Sequence, residues 1–143
     1  MRLNLTLGVD SLEISAAFYH DLLGLPVEPV SATGGEPTAL ILRCGQVSVL
    51  LEPLTQHIAR HPTLFQNLEH YPRGTGVRLE FTCRDLGLVL KKLQNARIPL
   101  AYELEDREFD RKKVWVHDPD GYLLVLNQEG DGAEFQEIRA CDR

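Results

Sequence analysis

Two charged residues on one predicted strand are the most chemically suggestive groups that spacing brings together in this chain. Arg78 and Glu80 stand two positions apart, so an extended backbone directs both side chains to the same face. The two could pair with each other in a structural role. Alternatively, Glu80 could receive a cationic group of a ligand, or Arg78 an anionic one, through charge-assisted hydrogen bonds. The residues alone leave both roles open.

Other residues with metal-binding chemistry have simpler interpretations. His57 and His61 stand four apart, a helical spacing compatible with zinc, but no HExxH pattern accompanies them and a solvated surface helix is favoured. The DPDG string at residues 118–121 has Pro at its second and Gly at its fourth position, which is typical of a type I turn rather than a calcium loop. His117 precedes this turn, and its face depends on strand register.

An acidic run and several aromatic residues lie nearby. Five carboxylates fall between Glu103 and Asp110, and such runs are usually solvated loop faces. The residues that could stack on a ligand are Tyr102, Phe109, Trp115 and Tyr122. For Trp115, packing in the core is the favoured alternative.

The secondary-structure elements that must position these groups occur twice along the chain. LNLTLGV at residues 3–9 and VRLEFTC at residues 77–83 alternate apolar and polar side chains, which predicts half-buried strands. A helix follows each one, beginning at Asp10 and Ser11 in the first copy and at Asp85 in the second, where short polar side chains can cap the first turn. Gly24 is expected to end the first helix.

Three further strands are predicted after each helix. They cover about Val27 to Val30, Ala39 to Arg43 and Val47 to Leu51 in the first copy, and about Leu100 to Leu104, Lys113 to His117 and Tyr122 to Asn127 in the second. We therefore predict an α+β fold of two βαβββ repeats, each with a four-stranded mixed sheet.

The predicted repeats span residues 1–53 and 77–128 of one compact domain. A connector at residues 54–76 should hold one short helix from about Leu54 to Leu68, interrupted near His61 and Pro62. A polar tail at residues 129–143 completes the chain.

Composition excludes several classes of protein. The chain of 143 residues has 15 Lys and Arg against 21 Asp and Glu, a net charge of −6 that argues against nucleic-acid binding. No apolar run approaches the roughly 20 residues needed to cross a bilayer, and no secretory signal is evident, so a cytoplasmic protein without membrane contact is expected. Cys44 and Cys83 are expected as small core residues in strands, and Cys141 as a free thiol.

Two strings resemble a known family. DSLEISAAFY at residues 10–19, followed by DLLGL at residues 21–25, and VHDPDGYL at residues 116–123 are similar to the vicinal oxygen chelate superfamily, which includes glyoxalase I, bleomycin-resistance proteins, fosfomycin-resistance enzymes and ring-cleaving dioxygenases. The resemblance implies that each sheet curls into a half-open cup, that two cups enclose a ligand cleft, and that a homodimer completes its clefts across the subunit interface.

The metal site of this superfamily has poor ligands here. The resemblance places its four positions at Asn4 and Arg78 on the first strands and near Val49 and Val125 on the last strands, and valine cannot bind a metal. A shift of two residues keeps the same face and brings in Thr6, Val47, Leu51, Glu80, Leu123 and Asn127. Among these only Glu80 is a good ligand, so we expect no metal and no cofactor.

The expected function is therefore binding without catalysis. PRGTGV at residues 72–77 and LEDREF at residues 104–109 look most like the bleomycin-resistance branch. This resemblance implies a protein that sequesters a small molecule without a metal, as in antibiotic resistance. The small molecule could be cationic. The predicted ligand-binding residues are Asn4, Thr6, Arg78, Glu80, Tyr102, Trp115 and Val125.

Two other functions remain open. One is a metal-dependent lyase, isomerase or dioxygenase of the same superfamily that uses atypical ligands such as Glu80 and His117. The other is a non-catalytic interaction module whose cleft is filled by Val49, Leu51 and Val125.

Overall fold

The computed structural model describes residues 4–32, 34–106 and 111–128. In the first unit, strands β1 (Leu5–Val9), β2 (Val27–Val30), β3 (Ala39–Cys44) and β4 (Val47–Pro53) form a four-stranded sheet, sheet A, in the order β1-β4-β3-β2. Strand β1 pairs in parallel with β4, and the other pairs are antiparallel.

The second unit repeats this topology. Strands β5 (Arg78–Cys83), β6 (Leu100–Asp106), β7 (Arg111–His117) and β8 (Leu123–Gln128) form sheet B in the order β5-β8-β7-β6, again with one parallel pair, β5 with β8. The prediction of two βαβββ units with mixed sheets is confirmed. Each sheet is open, because its two outermost strands do not pair with each other.

The helices begin where the polar caps predict. Helix α1 (Leu12–Ala16) has Ser11 as its cap, whose hydroxyl accepts a hydrogen bond from the Ile14 amide at 3.3 Å. It continues as a π-helical segment, Ala17–Leu22, and Gly24 follows with a φ of +73° that favours glycine. In the second unit, Asp85 caps helix α3 (Leu86–Asn95) by accepting from the Leu88 amide at 2.8 Å.

The connector matches its prediction in part. Helix α2 (Leu54–Arg60) ends before His61, and the next helical segment is a short 3-10 turn at Leu68–His70. The interruption expected near His61 and Pro62 is therefore confirmed, whereas the helix does not resume to reach Leu68. Pro62 lacks an amide hydrogen and disfavours a helical conformation at the residue before it, which explains why α2 ends before His61.

One face of each sheet packs on a common core, and we call it the inner face. Its side chains alternate with those of the opposite, outer face along every strand. The buried inner-face residues are Leu7, Val9, Leu40, Leu42, Val49, Leu51, Val114, Val116, Leu124 and Leu126. They form a single cluster with Phe18 and Tyr19 of the first unit and with Leu86, Val89 and Leu93 of α3.

The turn before β8 holds the two units together. The Tyr122 hydroxyl donates to the Gly8 carbonyl of β1 at 3.0 Å, and the buried Tyr19 hydroxyl donates to Asp118 at 2.7 Å. Arg73 bridges the carboxylates of Asp10, at 2.6 Å, and Asp120, at 2.5 Å.

Both aspartates of this turn are therefore occupied by protein donors. Asp118 accepts the backbone amides of Asp120 and Tyr122, and the Gly121 amide closes the turn on the Asp118 carbonyl. This confirms the turn interpretation over a calcium loop. Within the described ranges, no helix has the length and apolar character to cross a bilayer.

Candidate functional site

The outer face of sheet B brings together five of the seven predicted ligand-binding residues. Glu80 of β5 lies in register with Val125 of β8, and Val125 lies opposite Trp115 of β7, so the three occupy one row across the sheet. Tyr102 of β6 extends this row opposite Trp115. Arg78 stands two residues before Glu80 on the same face, as the sequence predicts.

Glu80 is the charged centre of this face. Its Oε1 atom accepts hydrogen bonds from the Lys113 Nζ atom at 3.2 Å and from the Asn127 side-chain amide. Its Oε2 atom has a longer ion-pair contact, 3.7 Å, with the Arg78 guanidinium. The sequence left pairing between Arg78 and Glu80 open, and the structure shows it, but the closer partners on β7 and β8 were missed.

These partners hold Glu80 in its ionised form. The hydrogen bond from Asn127 is the largest cause that lowers the pKa of the Glu80 carboxyl, and Lys113 and Arg78 lower it further, against a smaller opposing effect of burial. The Glu80 side chain is 38% exposed, so solvent and ligands can reach it. The face thus presents an exposed carboxylate between two cations.

Trp115, which is half-buried, and the exposed Tyr102 form an aromatic pair beside this charge cluster. Their ring centroids are 5.1 Å apart in a T-shaped arrangement, and Tyr102 is 58% exposed. The core-packing interpretation of Trp115 is wrong, because its neighbours Val114 and Val116 take the inner-face positions. A bulge between Leu100 and Tyr102 shifts the register by one residue and turns Tyr102 to the outer face.

Asn4 and Thr6 lie on the corresponding face of sheet A, and both are exposed. Thr6 pairs in register with Leu50 of β4, not with Val49. Val49 and Leu51, which were expected to face the cleft, are 4% and 0% exposed on the inner face. The reason is a one-residue error in counting along β4, which moves a side chain to the opposite face of the sheet.

The outer face of β4 carries a carboxylate that the sequence analysis missed. Glu52 lies next to Gly8 in the sheet, and its Oε2 atom is 2.9 Å from His57 Nε2 and 3.1 Å from Arg60. Both Glu52 and His57 side chains are only 15% exposed, so His57 is not the solvated surface residue expected. Helix α2 folds against β1 and β4 there, close enough that a Cβ on Gly8 would lie 2.8 Å from Leu54.

Other candidate residues take structural or peripheral positions. His117 lies on the exposed outer face of sheet B opposite Leu123, whereas Tyr122 is 9% exposed and buried in the contact between the units. Cys44 and Cys83 are half-buried in strands, where burial raises the pKa of both thiols. Phe109, the part of the acidic run from residue 107 to residue 110, and Cys141 lie outside the described residues.

The four positions implied for a metal do not fit one. With the register known, they are Asn4, Leu50, Arg78 and Val125, and two of these side chains are aliphatic while a third is a cation. A catalytic Zn²⁺ site needs about three protein donors with an open position. In the part of the chain that the structure describes, no group of three or more His, Cys, Asp or Glu residues could hold a metal ion.

A family model now adds to this geometry. The model described as "Glyoxalase/Bleomycin resistance protein/Dioxygenase superfamily" matches residues 3–126. The chain belongs to this superfamily. The family assignment covers both βαβββ units, and it does not distinguish the bleomycin-resistance branch from the others. No curated protein is significantly similar to this superfamily member in sequence.

Solved structures share the fold of this superfamily member. A lactoylglutathione lyase from Agrobacterium tumefaciens matches at 18% identity and a TM-score of 0.60, over 90% of this chain and 92% of that one. A hypothetical protein from S. aureus matches at 18% identity and a TM-score of 0.65, over 90% and 94%. A superfamily member from Sphaerobacter thermophilus matches at 17% identity and a TM-score of 0.59, over 90% and 97%. At these identities the likeness is one of fold.

Proposed function

We propose that this superfamily member is a cytoplasmic, metal-independent binding protein that sequesters a small molecule on the outer face of sheet B. The observation that carries the proposal is the Tyr102–Trp115 pair, with Tyr102 exposed and Trp115 half-buried, beside the ionised Glu80. Aromatic side chains with a polar neighbour are typical of sites that bind ligands through both stacking and directional hydrogen bonds.

The contacts of Glu80 indicate which ligand groups would bind. Its Oε1 atom is engaged by Lys113 and Asn127, whereas Oε2 has, among the described residues, only the 3.7 Å contact with Arg78. A ligand amine or other N–H donor can therefore approach Oε2 and form a charge-assisted hydrogen bond. A planar ring in the same ligand would stack on Trp115 or Tyr102, and a cationic group would gain a cation–π contact there.

The donor set supports binding without a metal. Leu50 and Val125 provide no ligand atoms, and Arg78 repels a divalent ion. The alternative, a metal-dependent lyase, isomerase or dioxygenase, would need an ion held by Glu80 and His117. Elemental analysis after dialysis separates the two, since stoichiometric Zn, Ni, Mn or Fe would overturn metal independence.

A second copy of the chain is the proposed cover of this site. The inner faces of both sheets pack on one core, and on the outer faces Asn4, Thr6, Glu80 and Tyr102 are exposed, whereas Val125 is only 1% exposed. No hydrogen bond or ion pair among the described residues joins these exposed side chains of one sheet to those of the other. In a homodimer the Asn4 and Thr6 face of one protomer would close over the Trp115 face of its partner. Sedimentation analysis should then give a dimer, and a monomer at concentrations that bind ligand would contradict the shared site.

Isothermal titration calorimetry tests the binding proposal. Bleomycin and planar aromatic amines should bind the unmodified protein, and Trp115→Ala and Glu80→Gln should each weaken binding by roughly tenfold, the equivalent of about 1.4 kcal/mol. Tyr71→Ala, which removes another exposed aromatic ring from the connector, is the matched control and should have no effect. Absence of binding to all these compounds, or equal losses in the control, would overturn the proposal.

A further inference from the structure

A groove distinct from the sheet B site lies between the two units. The groove has a volume of about 950 Å³. It lies between the end of sheet A at the β3–β4 turn, around Cys44 and Gly45, and the edge of β5 that pairs with no other described strand. The outer-face row described above contributes only Glu80 to it, with Arg78 beside it, and Trp115, Tyr102 and Val125 do not line it. Its volume is in the range of small-molecule sites, which is roughly 300–1,000 Å³.

The floor of the groove is apolar. Leu5 and Val49 come from sheet A, Leu25 from the loop after the π-helical segment, and Leu79 and Phe81 from β5. Apart from the buried Val49, these side chains pack against the hydrophobic core but remain partly exposed. A ligand that covered them would remove apolar surface from water, which is a favourable contribution.

The rim of the groove is cationic. Three arginines line it, Arg43, Arg78 and Arg84, against the single carboxylate of Glu80. This excess of positive charge stands out on a chain whose net charge is −6. Guanidinium groups bind carboxylates and phosphates in paired, planar hydrogen bonds.

The three arginines differ in how far the protein already neutralises them. Arg43 is bound to Glu28 at 2.9 Å, and Arg78 has the 3.7 Å contact with Glu80. The Arg84 side chain, among the described residues, has no hydrogen bond or ion pair. Arg84 is therefore the guanidinium with the most capacity to bind an external anion.

We propose that the groove binds an anionic amphiphile, a molecule with a carboxylate on an apolar chain or ring. The apolar part would cover Leu25, Leu79 and Phe81, and the carboxylate would lie against Arg84 and Arg78. An apolar cation would meet three like charges at the rim, and a neutral alcohol would lose the charge-assisted hydrogen bonds.

Calorimetry with decanoate, kept below its micelle concentration, tests this proposal. Decanoate should bind at least about tenfold more tightly than decanol, and decyltrimethylammonium should not bind. Arg84→Gln should weaken decanoate binding by at least about fivefold. Lys91→Gln removes the same charge from an exposed position of α3 outside the groove and should leave the affinity unchanged.

The outcomes separate this groove from the site on sheet B. Trp115→Ala should leave decanoate binding intact even though it weakens binding of aromatic amines. Equal affinity for decanoate and decanol, an equal loss in Lys91→Gln, or no binding at all would overturn the inference. A further outcome would also overturn the inference: the unmodified chain does not bind decanoate, and Arg84→Glu changes the oligomeric state. That result would mean that a second copy of the chain occupies the groove.

Discussion

Trp115 and Tyr102 lie directly opposite each other on β7 and β6, with ring centroids 5.1 Å apart and planes inclined at 65°. The bulge after Leu100 brings Tyr102 opposite Trp115, because without the bulge Tyr102 would lie opposite Val114 on the inner face. The same shift leaves Tyr102 exposed beside the Glu80 cluster. One extra residue in β6 thus turns Tyr102 to the face that Trp115 already occupies, where the two rings can meet a ligand.

Trp115 provides an intrinsic optical probe of this surface, because it is the one tryptophan of the chain. A ligand that stacks on the Tyr102–Trp115 pair should quench or shift its emission, with a midpoint equal to the affinity measured by calorimetry. Tyr102→Phe keeps the ring and should preserve the response, whereas Tyr102→Ala should reduce it. A ligand that binds with no change in emission does not occupy this surface.

Stability should depend on pH through Glu80. Its pKa in the folded protein is lower than the ordinary value of 4.5, mainly because Asn127 donates a hydrogen bond to the carboxylate. The ionised form therefore stabilises the fold above about pH 4.5, and this contribution is lost as the pH falls through the folded pKa.

Urea unfolding of the unmodified protein and of Glu80→Gln measures this contribution. The difference between their free energies of unfolding should be constant near neutral pH and should shrink as the pH falls below the unfolded value. A difference that does not change with pH would contradict the role assigned to the ionised carboxylate.

Arg73 should matter to stability more than a typical surface arginine. Its side chain is 18% exposed and bridges Asp10 with Asp120, whose side chain is 3% exposed. Arg73→Gln would leave the Asp120 carboxylate buried with fewer donors, at a cost of about 1–3 kcal/mol in the free energy of unfolding. Arg43→Gln breaks the exposed pair with Glu28 and should cost less than about 1 kcal/mol. Equal costs in urea unfolding would argue against a central role for the bridge.

Two glycines of the connector offer a matched comparison. Gly74 and Gly76 both have positive φ values, 64° and 79°. A Cβ at Gly74 would lie 2.5 Å from the Tyr122 ring, whereas a Cβ at Gly76 would meet nothing within 4 Å. Both alanine variants are destabilised by about 1 kcal/mol of backbone strain, but Gly74→Ala must also displace the buried Tyr122 ring.

We therefore expect Gly74→Ala to lower the melting temperature clearly more than Gly76→Ala. Tyr122 anchors the second unit to the Gly8 carbonyl, so its displacement should also weaken the contact between the units. Equal melting temperatures for the two variants would mean that the ring moves aside without cost.

Local patterns in the sequence determined much of the fold. The caps at Ser11 and Asp85 and the alternation around Leu7 and Phe81 predicted two copies of the same unit, because hydrogen-bond capping and strand alternation depend only on neighbouring residues. The same alternation correctly assigned Arg78 and Glu80 to one face. Family resemblance then identified the superfamily, and the matching family model confirms it.

The arrangement of the candidate site was decided by tertiary structure. Alternation gives the face of a side chain within one strand, but not the register between strands, so Val49 was placed on the wrong face and packing in the core remained the favoured alternative for Trp115. The contacts of Glu80 with Lys113, and of Glu52 with His57, join residues from different elements. Such contacts depend on how strands and helices pack in three dimensions, and no spacing along the chain encodes that packing directly.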